Sequence, residues 1–380
     1  MCVRAHIPVA RYVRHMPADH ASRRMALRAA LADRGLDALL VTDLLNIRYL
    51  TGFTGSNAAL LVVAVDDADE SGTVVCTDGR YLSQIAEQVP DLRAEIGRAS
   101  AAHLVAALGG ARSRWGFESH VVTVDERARW DGLDSAVEFV AAPGLVEQLR
   151  MVKDEHEITL LTSACAAADR ALADLVAAGG LRPGRTEQQV ARDLEWRMFE
   201  HGADGIAFET IVAAGANSAI PHHRPTGAVL ASGDFVKLDF GAQIGGYHSD
   251  MTRTYVLDRV SDWQRDVYDL VLRAQRAGRE ALAPGVACAD VDAAARTVIA
   301  DAGHGELFLH GLGHGVGLEI HEAPGIGAAA PGTLVAGAAV TVEPGVYFAG
   351  RGGVRIEDTL VVREQTPELL TLTDKTLTVV

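Results

Sequence analysis

The sequence predicts a mixed α/β (α+β) protein of two domains, a smaller α/β domain over 21–148 and a larger one over 149–380 built from two similar halves. Three observations carry this. Apolar strand-like runs alternate with helical stretches through the first third of the chain. Near Leu149-Arg-Met-Val-Lys-Asp154 the texture changes to a long Ala-rich helix. A helix-then-hairpin unit then recurs about a hundred residues further on.

Residues 1–20 are set apart as an amino-terminal extension. Arg4, Arg11, Arg14, Arg23 and Arg24 sit among Ala, Val and His in the first two dozen positions, without the apolar segment of a secretion signal, so this stretch is expected to fray. Met25 to Gly35 is amphipathic and leads into the strand Ala38-Leu-Leu-Val-Thr. Asn46-Ile-Arg-Tyr-Leu-Thr-Gly-Phe follows, then a strand from Ala58 to Val65 and another at Val74-Val-Cys-Thr. Asp154 to Glu157 forms a capping box that opens the Ala-rich helix and marks the domain junction. A second box, Thr186 to Gln189, opens the next helix after the Pro183-Gly184 turn. Gly215 to Pro225 reads as an irregular loop carrying Asn217, His222 and His223, of the kind that lines sites.

The repeat is countable. Leu181, Pro183, Gly184, Val190 and Gly202 recur as Leu282, Pro284, Gly285, Val291 and Gly303 at a shift of 101, and Leu230, Gly233, Val236 and Gly241 recur as Leu334, Gly337, Val340 and Gly345 at 104. In the second register Asp239 falls on Glu343. A further lag aligns Gly246, Asp250 and Thr252 with Gly353, Glu357 and Thr359. A solenoid needs at least three stacked units, so two long ones predict a pseudo-twofold domain with its site on the axis.

Those four carboxylates lie on apolar strands. A two-residue turn at Ile244-Gly245 would set Gln243 opposite Gly246 and Asp239 opposite Asp250, and Glu343 could face Glu357 across the longer Gly350–Gly353 loop. Like charges directly opposite destabilise a sheet, and burying them adds several kcal/mol, so a multivalent cation is expected between them. The run His310-Gly-Leu-Gly-His314-Gly-Val-Gly-Leu-Glu-Ile-His321-Glu offers nitrogen ligands. Four acids and one His suit two divalent ions roughly 3.5–4 Å apart. Hard oxygen donors with one imidazole favour Mn²⁺, Co²⁺, Fe²⁺ or Zn²⁺ over a thiolate-type zinc site.

Composition closes off other classes. With 380 residues and 48% hydrophobic content the chain can build two cores. A net charge of -15 argues against a nucleic-acid surface and fits a cytoplasmic enzyme. Cys2, Cys76, Cys165 and Cys288 show no paired spacing, against both a disulfide framework and a sulfur-bound metal. No apolar run approaches the roughly 18–20 residues of a membrane span.

At Asp239 in Asp-Phe-Gly-Ala, Asp250 in Ser-Asp-Met-Thr, His314 in Gly-His-Gly-Val-Gly, Glu343 in Val-Glu-Pro-Gly and Glu357 in Arg-Ile-Glu-Asp, the sequence resembles metallopeptidase family M24, the pita-bread fold of methionine aminopeptidases, Xaa-Pro aminopeptidases and prolidases. Within it the chain looks most like the Xaa-Pro peptidases. The Asn46–Phe53 segment is similar to the creatinase/prolidase amino-terminal domain. The resemblance implies that Asp239, Asp250, His314, Glu343 and Glu357 ligate two divalent ions, most readily Mn²⁺. It implies that Glu343 is the general base for an ion-activated water. His222, in Ala-Ile-Pro-His, and His321, in His-Glu-Ala-Pro, would bind the substrate carbonyl or protonate the leaving nitrogen. His310 would shape the leaving-group pocket, and Arg355 would orient a ligating carboxylate. The implied substrate is a peptide with proline second, and relatives with this amino-terminal domain commonly dimerise. His223 is expected to face solvent, and Tyr247 to pack. Asp358 and Glu322 are left out because an extended strand turns them to the opposite face.

One departure counts. Some prolidases hold a dipeptide's terminal carboxylate with an Arg after the His-Glu motif, yet Glu322 to Val340 contains no basic residue. Dipeptidase and aminopeptidase therefore both stay open. Two other readings compete: a creatinase-type hydrolase with no metal requirement, and a non-catalytic peptide-binding module. Filled ligand positions speak against each.

Overall fold

The computed structural model describes residues 18–65, 70–109, 113–134 and 136–380. The extension expected over 1–20 therefore falls largely outside the described residues. The first helix, α1 (His20–Asp33), starts five residues before the amphipathic pattern, because the Asp19 side chain accepts from the Ser22 amide as N-cap. Arg23 and Arg24, expected to fray, are buried in it. Arg23 pairs with Asp154 at 2.6 Å and Glu157 at 3.3 Å, and Arg24 with Asp91 at 2.6 Å. A polar residue buried by a distant partner leaves no trace in local hydropathy.

The amino-terminal unit continues with β1 (Ala38–Val41), α2 (Leu44–Thr51), β2 (Ala58–Val63), β3 (Val74–Thr77), α3 (Leu82–Gln88), β4 (Arg93–Ile96), α4 (Ser100–Leu108), β5 (Ser113–Phe117), α5 (Val124–Asp131), β6 (Val137–Ala141) and α6 (Leu145–Arg150). The sheet order is β4-β3-β2-β1-β5-β6, with β1–β2 and β2–β3 antiparallel and the remaining pairs parallel. Side chains alternate faces along a strand. Leu39, Val41, Leu60 and Val62 accordingly pack with Leu27 and Leu31 of α1, while Leu40, Ala59 and Leu61 pack with Leu104 and Val105 of α4.

The second unit opens on α7 (Glu155–Ala177), whose Asp154–Glu157 capping box is formed as the sequence predicts. Buried Leu161, Ala164, Ala168, Leu172 and Leu175 run along one face at helical spacing, and each buried Leu contributes about 2–3 kcal/mol. Next come α8 (Glu187–Glu200), again boxed by Thr186 and Gln189, β7 (Gly205–Ile206), β8 (Ile211–Ala214), β9 (Phe235–Phe240), β10 (Ala242–Ile244), β11 (Tyr247–His248) and β12 (Met251–Val256). The other half holds α9 (Asp262–Glu280), α10 (Cys288–Asp301), β13 (Gly313–Gly315), β14 (Glu322–Ile326), β15 (Ala339–Val342), β16 (Gly345–Phe348), β17 (Gly352–Arg355), β18 (Asp358–Val361) and β19 (Glu368–Leu369).

The two halves repeat atom for atom at their turns. Gly184, at φ 89°, donates its amide to the Leu230 carbonyl at 3.0 Å, and Gly285, at φ 82°, donates to Leu334 at 2.8 Å. Positive φ is what reserves both positions for glycine. The halves meet edge to edge, where the Glu357 amide donates to the Thr252 carbonyl at 3.1 Å and the Thr254 hydroxyl to the Arg355 carbonyl at 2.9 Å.

The first hairpin differs from expectation. Ile244 pairs with Tyr247, so the turn is Gly245-Gly246, and Asp239 lies opposite Thr252 rather than Asp250. Both glycines have positive φ, 56° and 83°, as a tight two-residue hairpin turn requires. The slip is two residues, an even number, so Asp239 and Asp250 keep a common face. In the second hairpin Val342 pairs with Asp358 and Gly345 with Arg355, and this continuous register sets Glu343 opposite Glu357. No described helix is long and apolar enough to cross a membrane.

Candidate metal centre

The strands deliver five donors to one buried place. Asp239 comes from β9 and Asp250 from the residue before β12. Glu343 and Glu357 flank the break between the β15–β18 and β16–β17 ladders. His314 sits in β13, with Nδ1–H donating to the Gly315 carbonyl at 3.0 Å, which turns Nε2 toward Asp250 at 3.5 Å and Glu343 at 3.4 Å. One ligand atom each from Asp250, His314 and Glu357 lies within 4.8 Å of the others. Hydroxyls hold the carboxylates: Thr252 donates to Glu357 at 2.7 Å and Thr341 to Glu343 at 3.3 Å. Arg355, fully buried, donates to Oδ2 of Asp239.

Charge leaves this place short of cations. Burial, with the neighbouring acids adding to it, raises Asp250 to about 6 and Glu343 to about 7, and pushes Glu357 well above the carboxylate range. Burial lowers His314, but the hydrogen bond and charge of Asp250 and the charge of Glu343 outweigh it and hold the imidazole at about 9. Oδ1 of Asp239 is buried without a hydrogen-bond partner. An orphaned carboxylate oxygen beside three crowded acids and an aimed imidazole fits a divalent cation site.

These donors line a cavity of about 290 Å³ whose wall also includes Phe208, Glu209, Ile211, His222, His223, Arg224, Ile320 and His321. Residues 159–364 match the metallopeptidase family M24, and residues 23–152 match the creatinase/prolidase amino-terminal domain. The chain belongs to metallopeptidase family M24. It is 38% identical to the uncharacterized peptidase YqhT of Bacillus subtilis over 92% of this chain and 98% of that one. Among solved structures it resembles a Xaa-Pro dipeptidase from Bacillus anthracis, with TM-score 0.89 and 36% identity, covering 95% of this chain and 100% of the other. An X-Pro aminopeptidase from Thermotoga maritima matches at TM-score 0.83 and 32% identity, over 94% and 99%. Divalent metal ions are general for the M24 metallopeptidases, and the donor set here fits them.

In this M24 site His222 and His321 are both exposed on the cavity wall. The His321 ring stands edge-on to His314, 4.4 Å between centroids, and burial plus the charges of His314 and His222 lower its pKa, so it is neutral at neutral pH. His310 is not on that wall. Its Nδ1–H donates to the Gly311 carbonyl at 2.8 Å, and its Nε2 accepts at 2.8 Å from the Tyr347 hydroxyl, which accepts from Arg355 at 2.9 Å. Burial, then the Arg355 charge, lowers it to about 3.

The solvent-facing expectation for His223 fails. Its Nε2–H donates to Glu187 at 2.8 Å, and Glu187 also accepts from the amides of Ala214 and Thr226 and from the Asn217 side chain at 2.9 Å each. Glu187, the first residue of α8 and not itself part of the Thr186–Gln189 capping box, is thus the post on which the 215–226 loop hangs, and nothing local in the sequence marked it. Tyr247 packs, with its hydroxyl donating to Glu157 at 3.0 Å. Asp358 pairs with Arg253 and Glu322 with Arg150, away from the ligands.

Proposed function

We propose that the chain is a Xaa-Pro peptidase that hydrolyses the bond before proline at the amino terminus of a peptide or in a Xaa-Pro dipeptide, using two divalent ions held by Asp239, Asp250, His314, Glu343 and Glu357. The observation that carries this reading is the convergence of Asp250, His314 and Glu357 within 4.8 Å, with the orphaned Asp239 oxygen beside them. Bound ions would supply Lewis acidity to activate a water and polarise the scissile carbonyl. The chain's own groups do the rest. Glu343, whose burial favours taking a proton, accepts one from the attacking water. His222 and His321 stand on the wall, placed to donate hydrogen bonds to the carbonyl oxygen and to lie beside the leaving nitrogen. The proton that Glu343 takes from the water passes to that nitrogen, which must be protonated to depart. Arg355 holds Asp239 in its ligating orientation.

Arg224 is the only Lys or Arg on the described cavity wall. It is 83% exposed and pairs with Glu209 at 3.0 Å. It is the group we assign to a substrate carboxylate, in place of the basic residue missing between Glu322 and Val340. Mn²⁺ as the working ion, homodimer assembly, a junction between 148 and 149 and a cytoplasmic location belong to this reading too. The last is supported by Cys76, Cys165 and Cys288, all buried and unpaired.

The test is turnover of a Xaa-Pro dipeptide and a Xaa-Pro tripeptide before chelation, after it, and after Mn²⁺ is restored. Activity should vanish and return. Full activity after exhaustive chelation would end the proposal and favour a creatinase-type hydrolase.

A further inference from the structure

Lys237 lies on β9 two residues before Asp239, hence on the same face, and is completely buried. Its Nζ donates to the Ile220 carbonyl at 2.6 Å and the Pro221 carbonyl at 3.2 Å, and sits 5.2 Å from the centre of the Tyr347 ring. Those carbonyls are its hydrogen-bond acceptors among the described residues. Burial and the nearby Arg355 charge push the lysine well below its ordinary range, but a neutral amine keeps two N–H groups, as many as the carbonyls it serves. The arrangement therefore works in either protonation state.

The Pro221 carbonyl has a second donor, Nη1 of Arg355 at 3.2 Å. That carbonyl belongs to the peptide plane joining Pro221 to His222, so two donors on its oxygen fix the plane from which His222 departs. On the far side His223 is tied to Glu187. The His222 ring itself has no hydrogen-bond partner among the described residues, so its aim depends on the backbone beneath it. For stability alone a buried strand position favours an apolar side chain, and a lysine there costs desolvation. Its benefit must lie in the carbonyls it holds.

We propose that Lys237 is a positioning residue that, with Arg355, locks the Pro221–His222 peptide plane and thereby aims His222 into the cavity. The inference rests on His222 touching substrate, as proposed above.

The test is a double-mutant cycle on the full chain loaded with Mn²⁺, with Lys237→Met, His222→Ala and the pair. Lys237→Met should lower kcat at least about tenfold with KM within about twofold, and the double variant should be no slower than His222→Ala alone. Metal content per chain should stay at the wild-type value. Additive losses in the double variant, or an unchanged kcat in Lys237→Met, would overturn the proposal. Should Lys237→Met fail to fold, Lys237→Gln, which keeps two N–H groups on a shorter arm, enters the same cycle with an intermediate kcat expected. A crystal structure of the folded variant gives a readout independent of turnover: the Pro221 carbonyl should rotate and the His222 ring lose its fixed orientation. An undisturbed His222 would refute the positioning role even if the protein proved not to cleave Xaa-Pro bonds.

Discussion

Arg355 and Asp239 come from opposite halves of the repeat, and the guanidinium of one donates to the carboxylate of the other across the pseudo-twofold axis. The same guanidinium donates to the Thr252 hydroxyl at 3.0 Å, the Tyr347 hydroxyl at 2.9 Å and the Pro221 carbonyl at 3.2 Å. One planar fork thus ties a ligand, the His310 chain and the His222 loop together. Arg355→Met should strand Asp239 and destabilise the chelated protein by about 3–5 kcal/mol, as expected for breaking a buried pair. Arg355→Lys should rescue little, since an ammonium cannot reach four acceptors spread over a fork. Urea unfolding of the three chelated proteins decides it, and a lysine variant as stable as wild type would refute the argument.

The same crowding predicts how the chelated protein responds to pH. Glu343 at about 7, Glu357 pushed well above the carboxylate range and His314 at about 9 all sit above their unfolded values, so above pH 7 these groups hold more protons in the folded state than in the unfolded one. Stability must then fall as pH rises from 7 to 9, by about 1.4 kcal/mol per pH unit for each proton of difference, less the opposing contribution of Lys237 and Lys375, whose amines burial holds below their ordinary range. Histidines with lowered pKa, such as His20, His248 and His321, add no slope there, being neutral in both states. The three site groups titrate as one coupled cluster, so the prediction concerns the total slope. Melting temperatures of chelated protein at pH 7, 8 and 9 test the sign. A rise would contradict the assigned shifts.

Removing a ligand should separate chemistry from folding. Asp250→Ala takes away one of the three atoms that converge most closely, and also one of the charges that crowd the site. Turnover should fall beyond about a thousandfold, the scale on which such sites lose their catalytic electrostatics. The far-ultraviolet spectrum should be unchanged and metal content reduced. Wild-type turnover in this variant would remove Asp250 from the ligand set.

How much of this was readable beforehand follows from the range of each interaction. The capping boxes at Asp154 and Thr186, the alternating faces of β1 and β2, and the repeat that equates Asp239 with Glu343 are set by neighbours or by internal comparison. Parity also survived a wrong turn, because Gly245-Gly246 moved the register by two residues and left Asp239 and Asp250 on one face. The turn itself was legible, since paired glycines are the residues a hairpin with two positive φ values selects. Arg23, His223 and Lys237 were not. Their partners Asp154, Glu187 and Ile220 lie 131, 36 and 17 residues away, and nothing local distinguishes a lysine bound for the core from one bound for solvent. Thr252 and Thr359 did carry a signal, each two residues beyond an acid and so on its face.

Arg224 offers a specificity prediction. If it meets the substrate carboxylate, Arg224→Ala should raise KM for a Xaa-Pro dipeptide roughly tenfold, the worth of one exposed charge-assisted contact, with kcat nearly kept. The amidated dipeptide, which has no carboxylate, should be handled poorly by wild type and no worse by the variant. Equal KM values for acid and amide in the wild-type enzyme would place the carboxylate elsewhere.

The last prediction concerns the joint between the two units. Arg150, 2% exposed, donates to Oδ1 of Asn46 at 2.9 Å, to Glu319 at 2.7 Å and to Glu322 at 2.7 Å, and Lys153 also donates to Glu322. Glu322 follows His321 directly, so Arg150, just past the 148/149 junction at the end of α6, ties Asn46 of the amino-terminal unit to the strand beside a cavity histidine. Arg150→Met leaves Glu322 half satisfied and Asn46 short of a donor, which should cost about 3 kcal/mol. Because the lost contacts join the units and spare both cores, calorimetry should show the single transition broadening or splitting. The amino-terminal sheet should melt first, since that unit has lost its anchor while α7 to α10 keep theirs. An unchanged single transition at the wild-type midpoint would mean that apolar contacts such as Val316 and Leu318, which share a core cluster with Leu50 and Phe53, hold the units together by themselves.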